Sequence, residues 1–294
     1  MALMHRLPSE QSLFVTTPNA IYRRSHNINN SLFECETENG IVNARASRDN
    51  SSLFAVADSH VVILGDATRG KDKRYRLKNG DVYVHGSKGD AGEPRLLLFS
   101  PDSRMLYFTT TLSTSVQAYS IATAELMPAL LSHSSPPNTI AVSGNGDVLL
   151  SASPDPPTIY LQDRRWGGSA PVKFQPTDAA HSPVTCAAFH TLDDTIQPAY
   201  ANFVLGFQDG CLAMYQLYLS SLSESRRTSD THQLRPSQLQ PVRVGAIKKL
   251  HKAAMGGATA AEFIPGYNSR VVSIGHDGRC RLVDFEGGGK VLRT

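Results

Sequence analysis

The chain holds four cysteines and ten histidines, the residues best suited to metal, redox or nucleophilic chemistry, and their spacing points away from all three. Cys35, Cys186, Cys211 and Cys280 stand far apart, so none can form a zinc half-site or a redox dithiol with a near neighbour. Cys186, Cys211 and Cys280 lie in alternating apolar segments, where a thiol is expected to behave as a small buried hydrophobe. The histidines are scattered, and no metalloprotease helix motif or nucleophile elbow occurs. Gly287-Gly288-Gly289-Lys290 has the look of a phosphate loop. However, Val291 stands where Ser or Thr is needed, and Asp284 where glycine is needed. The stretch reads instead as a hairpin into a last strand. No catalytic residue, metal or cofactor is assigned on these grounds.

Two charged features invite other chemistry. Arg69, Lys71, Lys73, Arg74, Arg76 and Lys78, against Asp72, give +5 in ten residues of a chain whose net charge is +3, leaving the rest at −2. Such a cluster could neutralise phosphates, as an RNA-associated protein would. The same residues fit a charged outer strand, where Lys and Arg block edge pairing, and that reading is favoured over nucleic acid. Arg226-Arg227-Thr228-Ser229 sets two arginines before Ser229, the charge pattern of a basophilic kinase site. It falls in the polar stretch 219–241, expected to be an insertion within one repeat.

Composition limits the class. Of 294 residues, 40% are hydrophobic and 19% charged, which excludes wholesale disorder, a collagen-like fibre and a coiled coil. No apolar run approaches the roughly 18 residues of a membrane-spanning helix. His5, Arg6 and Pro8 occupy the place where a signal peptide needs its apolar core. The expectation is an intracellular protein, cytoplasmic or nuclear, with no membrane association. The glycosylation-type triplets at Asn29 and Asn50 carry little weight in that setting.

The elements that would position any site come from a repeat. A six-residue segment recurs at 20–25, 61–66, 115–120, 158–163, 211–216 and 279–284, apolar at its second position in every copy. That period of two predicts a strand with one face buried. A strand rich in β-branched and aromatic residues precedes each copy: 13–17, 53–57, 105–110, 148–153, 203–207 and 270–275. Asp209-Gly210 and Asp277-Gly278 make the turns between two such strands. Further strands precede them at 96–99, 139–142, 184–189 and 258–263, and others follow at 73–78, 171–175 and 290–294. Four antiparallel strands repeated every 40 to 50 residues or so describe a propeller blade.

At this point the chain resembles the WD-repeat family. The nearest unit runs from Val271 to Asp284, with an apolar-apolar-Ser run, the Asp277-Gly278 turn and a closing Asp284. Asp66, Asp163 and Asp284 keep the family's aspartate, but Tyr119 and Tyr215 stand in place of its tryptophan, and the Gly-His pair is missing. The expected fold is an all-β β-propeller of four-stranded antiparallel blades, one domain over 1–294. Its units are 1–38, 39–81, 92–132, 135–176, 182–250 and 256–294. Either six blades close flush, or the chain is part of a seven-bladed or larger propeller continuing past Thr294. The absence of strands mixed from both termini favours the second.

The resemblance implies a non-catalytic scaffold for protein–protein interactions. The segment from Phe99 to Tyr119 is also similar to lactonase-type propeller repeats, which makes a hydrolase the alternative. Such an enzyme needs carboxylates or histidines converging from the starts of the inner strands. Those starts read Asn43, Arg95, Asn138, Pro183 and Ala258, with no acid among them. In a propeller the second-to-third and fourth-to-first connections share one face. That face, carrying His60, Leu112, Asp155, Asp209, His251 and His276, is the expected surface for an unidentified protein partner.

Overall fold

The structure, a computed structural model, describes residues 3–6, 12–25, 28–34, 40–47, 52–58, 62–66, 75–76, 92–128, 132–164, 170–176, 182–191, 200–218 and 239–294. It is all-β, with six four-stranded antiparallel sheets, each ordered as its strands follow in the chain. The chain divides into two compact units, 1–137 and 138–294, of three sheets each.

Unit 1 holds sheets 1 to 3. Sheet 1 is β1 (Leu3–Arg6), β2 (Ser12–Thr16), β3 (Ala20–Ser25) and β4 (Ile28–Glu34). Sheet 2 is β5 (Asn43–Ala46), β6 (Leu53–Ala57), β7 (Val62–Asp66) and β8 (Tyr75–Arg76). Sheet 3 is β9 (Pro94–Phe99), β10 (Met105–Thr110), β11 (Gln117–Ser120) and β12 (Glu125–Met127). Phe33 and Ile21 of sheet 1 pack with Phe54 and Val56 of sheet 2. Ala55, Ala57 and Leu64, from the opposite face of sheet 2, pack with Phe99, Leu106 and Phe108 of sheet 3.

Unit 2 repeats the scheme. Sheet 4 is β13 (Thr139–Val142), β14 (Val148–Pro154), β15 (Pro157–Asp163) and β16 (Val172–Phe174). Sheet 5 is β17 (Val184–Phe189), β18 (Tyr200–Phe207), β19 (Leu212–Tyr218) and β20 (Pro241–Ile247). Sheet 6 is β21 (Ala258–Phe263), β22 (Arg270–Gly275), β23 (Cys280–Asp284) and β24 (Lys290–Arg293). Along β18 the period of two sends Phe203, Leu205 and Phe207 into the core shared with sheet 4, and Val204 into the core shared with sheet 6. The expectation of one buried face for the six-residue segment is corrected at β19, where Ala213, Tyr215 and Leu217 join the first of these cores and Leu212 and Met214 the second. β18 is buried along nearly its whole length because sheet 5 has apolar packing on both sides, and β14 is buried to a similar extent. At Gly206 the approach is so close that a β-carbon would stand 2.5 Å from Cys186 Sγ and 2.8 Å from Ala258 Cβ.

First strands of successive sheets lie side by side, β5 with β9, β13 with β17 and β17 with β21. A polar side chain near the start of one strand bonds to the backbone of the next. Asn43 Nδ2 donates to the Arg95 carbonyl at 2.9 Å, and Asn138 Nδ2 to the Val184 carbonyl at 3.1 Å. Thr185 Oγ1 donates to the Ala258 carbonyl at 2.6 Å. Two of these residues, Asn43 and Asn138, stand at first-strand starts, the positions where the hydrolase alternative expects carboxylates. The third-strand aspartates act elsewhere in the sheet. Asp66 accepts from Ser52 Oγ at 2.6 Å, and Asp284 from Ser269 Oγ at 2.7 Å, each securing the approach to the second strand.

Replacing the Thr185 hydroxyl by a methyl group, in Thr185→Val, removes the donor to Ala258 at nearly constant volume. Urea denaturation is expected to register a loss of about 1–2 kcal/mol, the typical cost of an abandoned buried acceptor.

Candidate interaction surface

In both units, second-to-third turns are stitched to the connectors that join one sheet to the next. In unit 1, the Thr111 N–H donates to the Glu93 carbonyl at 2.9 Å, and the Glu93 N–H to Thr111 Oγ1 at 2.9 Å. The His133 N–H donates to the Thr114 carbonyl at 2.8 Å. In unit 2, the Gln208 N–H donates to the Pro183 carbonyl and the His251 N–H to the Gly210 carbonyl, each at 3.0 Å. The His276 N–H reaches the Gly257 carbonyl at the same distance. Loop tips held at both sides by backbone bonds make a firm base for whatever side chains they present.

Leu112, on the β10–β11 turn, is 56% exposed, and Asp155, Asp209 and His276 are exposed on their own turns. Asp209 also accepts the Cys211 N–H through Oδ1 at 2.9 Å. His251 differs from them. It is 2% exposed and belongs to the interior that holds the surface, not to the surface itself. His60 and Ser229 lie outside the described residues, as does segment 69–78 apart from β8.

His251 sits at the centre of a buried polar cluster that ties the β20–β21 connector to the β22–β23 turn. Its Nε2 lies 2.8 Å from Ser273 Oγ, and its Nδ1 lies 3.1 Å from Asp277 Oδ1. Arg281 donates from Nη1 to Asp277 Oδ2 at 3.1 Å, and the same nitrogen stands 2.7 Å from His251 Nδ1. The proton of a neutral imidazole has two seats here. On Nδ1 it donates to Asp277 and frees Nε2 to accept from Ser273; on Nε2 it donates to Ser273 and frees Nδ1 to accept from Arg281. Gly275 makes room for the ring, since a β-carbon there would collide with His251 Nδ1 and stand 2.8 Å from Asp277 Oδ1. Burial pushes the Asp277 carboxyl up. Hydrogen bonds from His251, Arg281 and the Arg279 N–H outweigh burial and hold it well below the usual carboxylate range.

Serine, histidine and aspartate in that order of contact are the parts of an acyl-transfer triad. Ser273 is fully buried, however, and the His251 and Asp277 side chains are 0% and 1% exposed, so no scissile carbonyl can reach the hydroxyl. The cluster is a structural lock. Its spacing hid it from the sequence, because His251 lies 22 residues from Ser273 and 26 from Asp277. The signal that could have found it is the Ser273-to-Gly278 segment with its turn aspartate, paired with a histidine in the preceding connector.

Unit 1 has a related feature. His133 is buried in the connector after β12, bonded through its N–H to the β10–β11 turn as His251 is bonded to the β18–β19 turn. Burial pushes its imidazole down to about 4, so it is neutral at pH 7. The cysteines divide: Cys186 and Cys211 are buried as expected, and burial pushes the Cys186 thiol up to about 12, which makes it inert. Cys280 is exposed, contrary to expectation: among the described residues of unit 2, the apolar cluster covers the Val283 face of β23 and not the face Cys280 occupies. Among the described residues no group of His, Cys, Asp and Glu could hold a metal ion, and no helix is long and apolar enough to cross a membrane. No family model and no curated protein matches the chain.

His251→Ala and Ser273→Ala should each lower stability by about 2–3 kcal/mol in chemical denaturation, and Gly275→Ala should behave alike although it removes no hydrogen bond. The His133 imidazole adds a dependence on pH. It binds its proton less well folded than unfolded, so its contribution is constant above the unfolded value of 6.5 and is lost as pH falls from there towards 4. Thermal midpoints measured over that window should decline more steeply for the wild type than for His133→Gln.

Proposed function

We propose that the six sheets are blades of a WD-repeat-like β-propeller, and that this propeller is a non-catalytic platform for protein–protein interactions inside the cell. The observation that carries the reading is the stitching found within each unit, where turns are bonded to connectors and present exposed residues from a firm base. Stacked sheets with buried faces and side-by-side first strands are what radial blades require. The polar residues at first-strand starts support a non-catalytic reading, because Asn43, Asn138 and Thr185 are engaged in bonding the neighbouring strand. The contact residues on this reading are Leu112, Asp155, Asp209 and His276, with His251 holding the base in place. A protein partner in the cytoplasm or nucleus is the occupant.

Affinity purification of the full-length chain from cells, with mass spectrometry, tests the reading. A variant carrying Leu112→Asp, Asp155→Arg, Asp209→Arg and His276→Glu should fold with an unchanged thermal midpoint and lose specific co-purifying proteins. Retention of every partner by that variant would refute the assignment of the face.

A further inference from the structure

The connector and turn fastened by His251 also carry side chains that the lock leaves free. Lys248, Lys249 and Lys252 are exposed on the connector, and Arg279 is exposed on the turn. None of these four makes a side-chain hydrogen bond or ion pair among the described residues. The one carboxylate on their turn, Asp277, is committed to Arg281 and His251 inside the lock. Asp209 is on the neighbouring turn, whose Gly210 carbonyl accepts the His251 N–H, so this connector and its two turns carry four exposed cations against one exposed carboxylate. Lys249 adds a further sign: its φ is 55°, a left-handed conformation that costs least at glycine, yet a long cation occupies it.

Apolar side chains stand among these charges. Met255 is 51% exposed, and Ala253 and Ala254 are exposed beside it in the chain. The geometry that brings them together is fixed. Lys252 and Met255 belong to one 3₁₀ turn, closed by the Met255 N–H and the Gly257 N–H, each donating to the Lys252 carbonyl at 3.1 Å. That turn lies against the His276 ring through Gly256 and against the β22–β23 turn through the His276 N–H.

We infer that this corner of unit 2 docks an acidic segment of a protein partner, with carboxylates meeting Lys248, Lys249, Lys252 and Arg279, and aliphatic or aromatic side chains meeting Met255. The inference rests on the platform reading and adds the chemistry of the partner. Charge complementarity steers such a segment and sets its register, while the apolar contacts supply much of its affinity. Nucleic acid fits less well. Single strands are held by bases stacked on aromatic rings, and the described residues of this corner offer only His276. Exposed Tyr267 belongs to the β21–β22 turn, where the Arg270 guanidinium covers its ring at 4.2 Å.

Fluorescence anisotropy with the full chain provides the test. The probes are a labelled short peptide of Asp and Glu with Leu and Phe at regular intervals, its counterpart with Ser in place of Leu and Phe, and a short oligouridylate. The acidic apolar peptide should bind, weaken with salt, and lose about tenfold or more in affinity to Lys248→Glu/Lys252→Glu. The milder Lys248→Ala/Lys252→Ala should lose less, and the Ser peptide should bind more weakly than its parent. Tighter binding of the RNA, equal binding by the Glu variant, or no binding of the peptide would each overturn the site. Co-purification separates this claim from the platform reading. A Lys248→Glu/Lys252→Glu/Arg279→Glu chain that keeps the partners lost through Leu112→Asp refutes this corner alone, whereas partners kept by both chains refute both claims.

Discussion

A small antiparallel sheet with apolar side chains on both faces cannot stand by itself in water; each face has to be covered, and the natural cover is another sheet of the same kind. Sheets 2 and 5 meet that constraint within their units, with separate apolar clusters on their two sides. Burying one side chain such as Phe203 or Leu205 contributes about 1.5–3 kcal/mol, so the paired faces supply the main drive for stacking. Apolar contact is not directional, however. What sets one sheet at a fixed offset from the next is a short list of polar bonds: Asn43 to Arg95, Asn138 to Val184, Thr185 to Ala258, and the His251 cluster.

Those bonds explain why residue types associated with catalysis occur here without a catalytic arrangement. Ser273, His251 and Asp277 satisfy each other's hydrogen-bonding groups in a place from which water is excluded, where any unpartnered group would be costly. Arg281 neutralises the carboxylate, so the charge is paired as well as buried. The same lock that makes the cluster useless to a substrate gives the loop tips outside it a stiff support. Firm presentation lowers the ordering cost a partner would otherwise meet on binding, which is the physical link between this interior and the proposed role of the surface.

Much of the fold is legible in the sequence. The six-residue repeat locates β3, β7, β11, β15, β19 and β23, and the runs before it locate β6, β10 and β22 to the residue. The apolar period carries that information because each strand's neighbours are close in the chain. Burial on both faces of β18 is less legible, since an unbroken apolar run does not say which sheet covers which side. The site is hardest. Turn context places Leu112, Asp155, Asp209 and His276 on exposed turns, whereas His251 shares a similar context and is interior. Its partners lie in the next sheet, and no local pattern spans that separation. Cys280 misleads for a related reason: its alternation is that of a strand, but among the described residues of unit 2 the apolar cluster lies on the other face.

If polar locks between a connector and the next turn make neighbouring sheets a single cooperative body, breaking one lock must loosen both sheets. Hydrogen exchange of backbone amides in the full chain, compared between the wild type and His251→Ala, addresses this directly. The expected result is that amides of β17 to β19 and of β21 to β23 lose protection together and by similar factors, because the two sheets open as one. Loss confined to the 275–279 turn and the 248–257 connector, with both sheets protected as before, would contradict it.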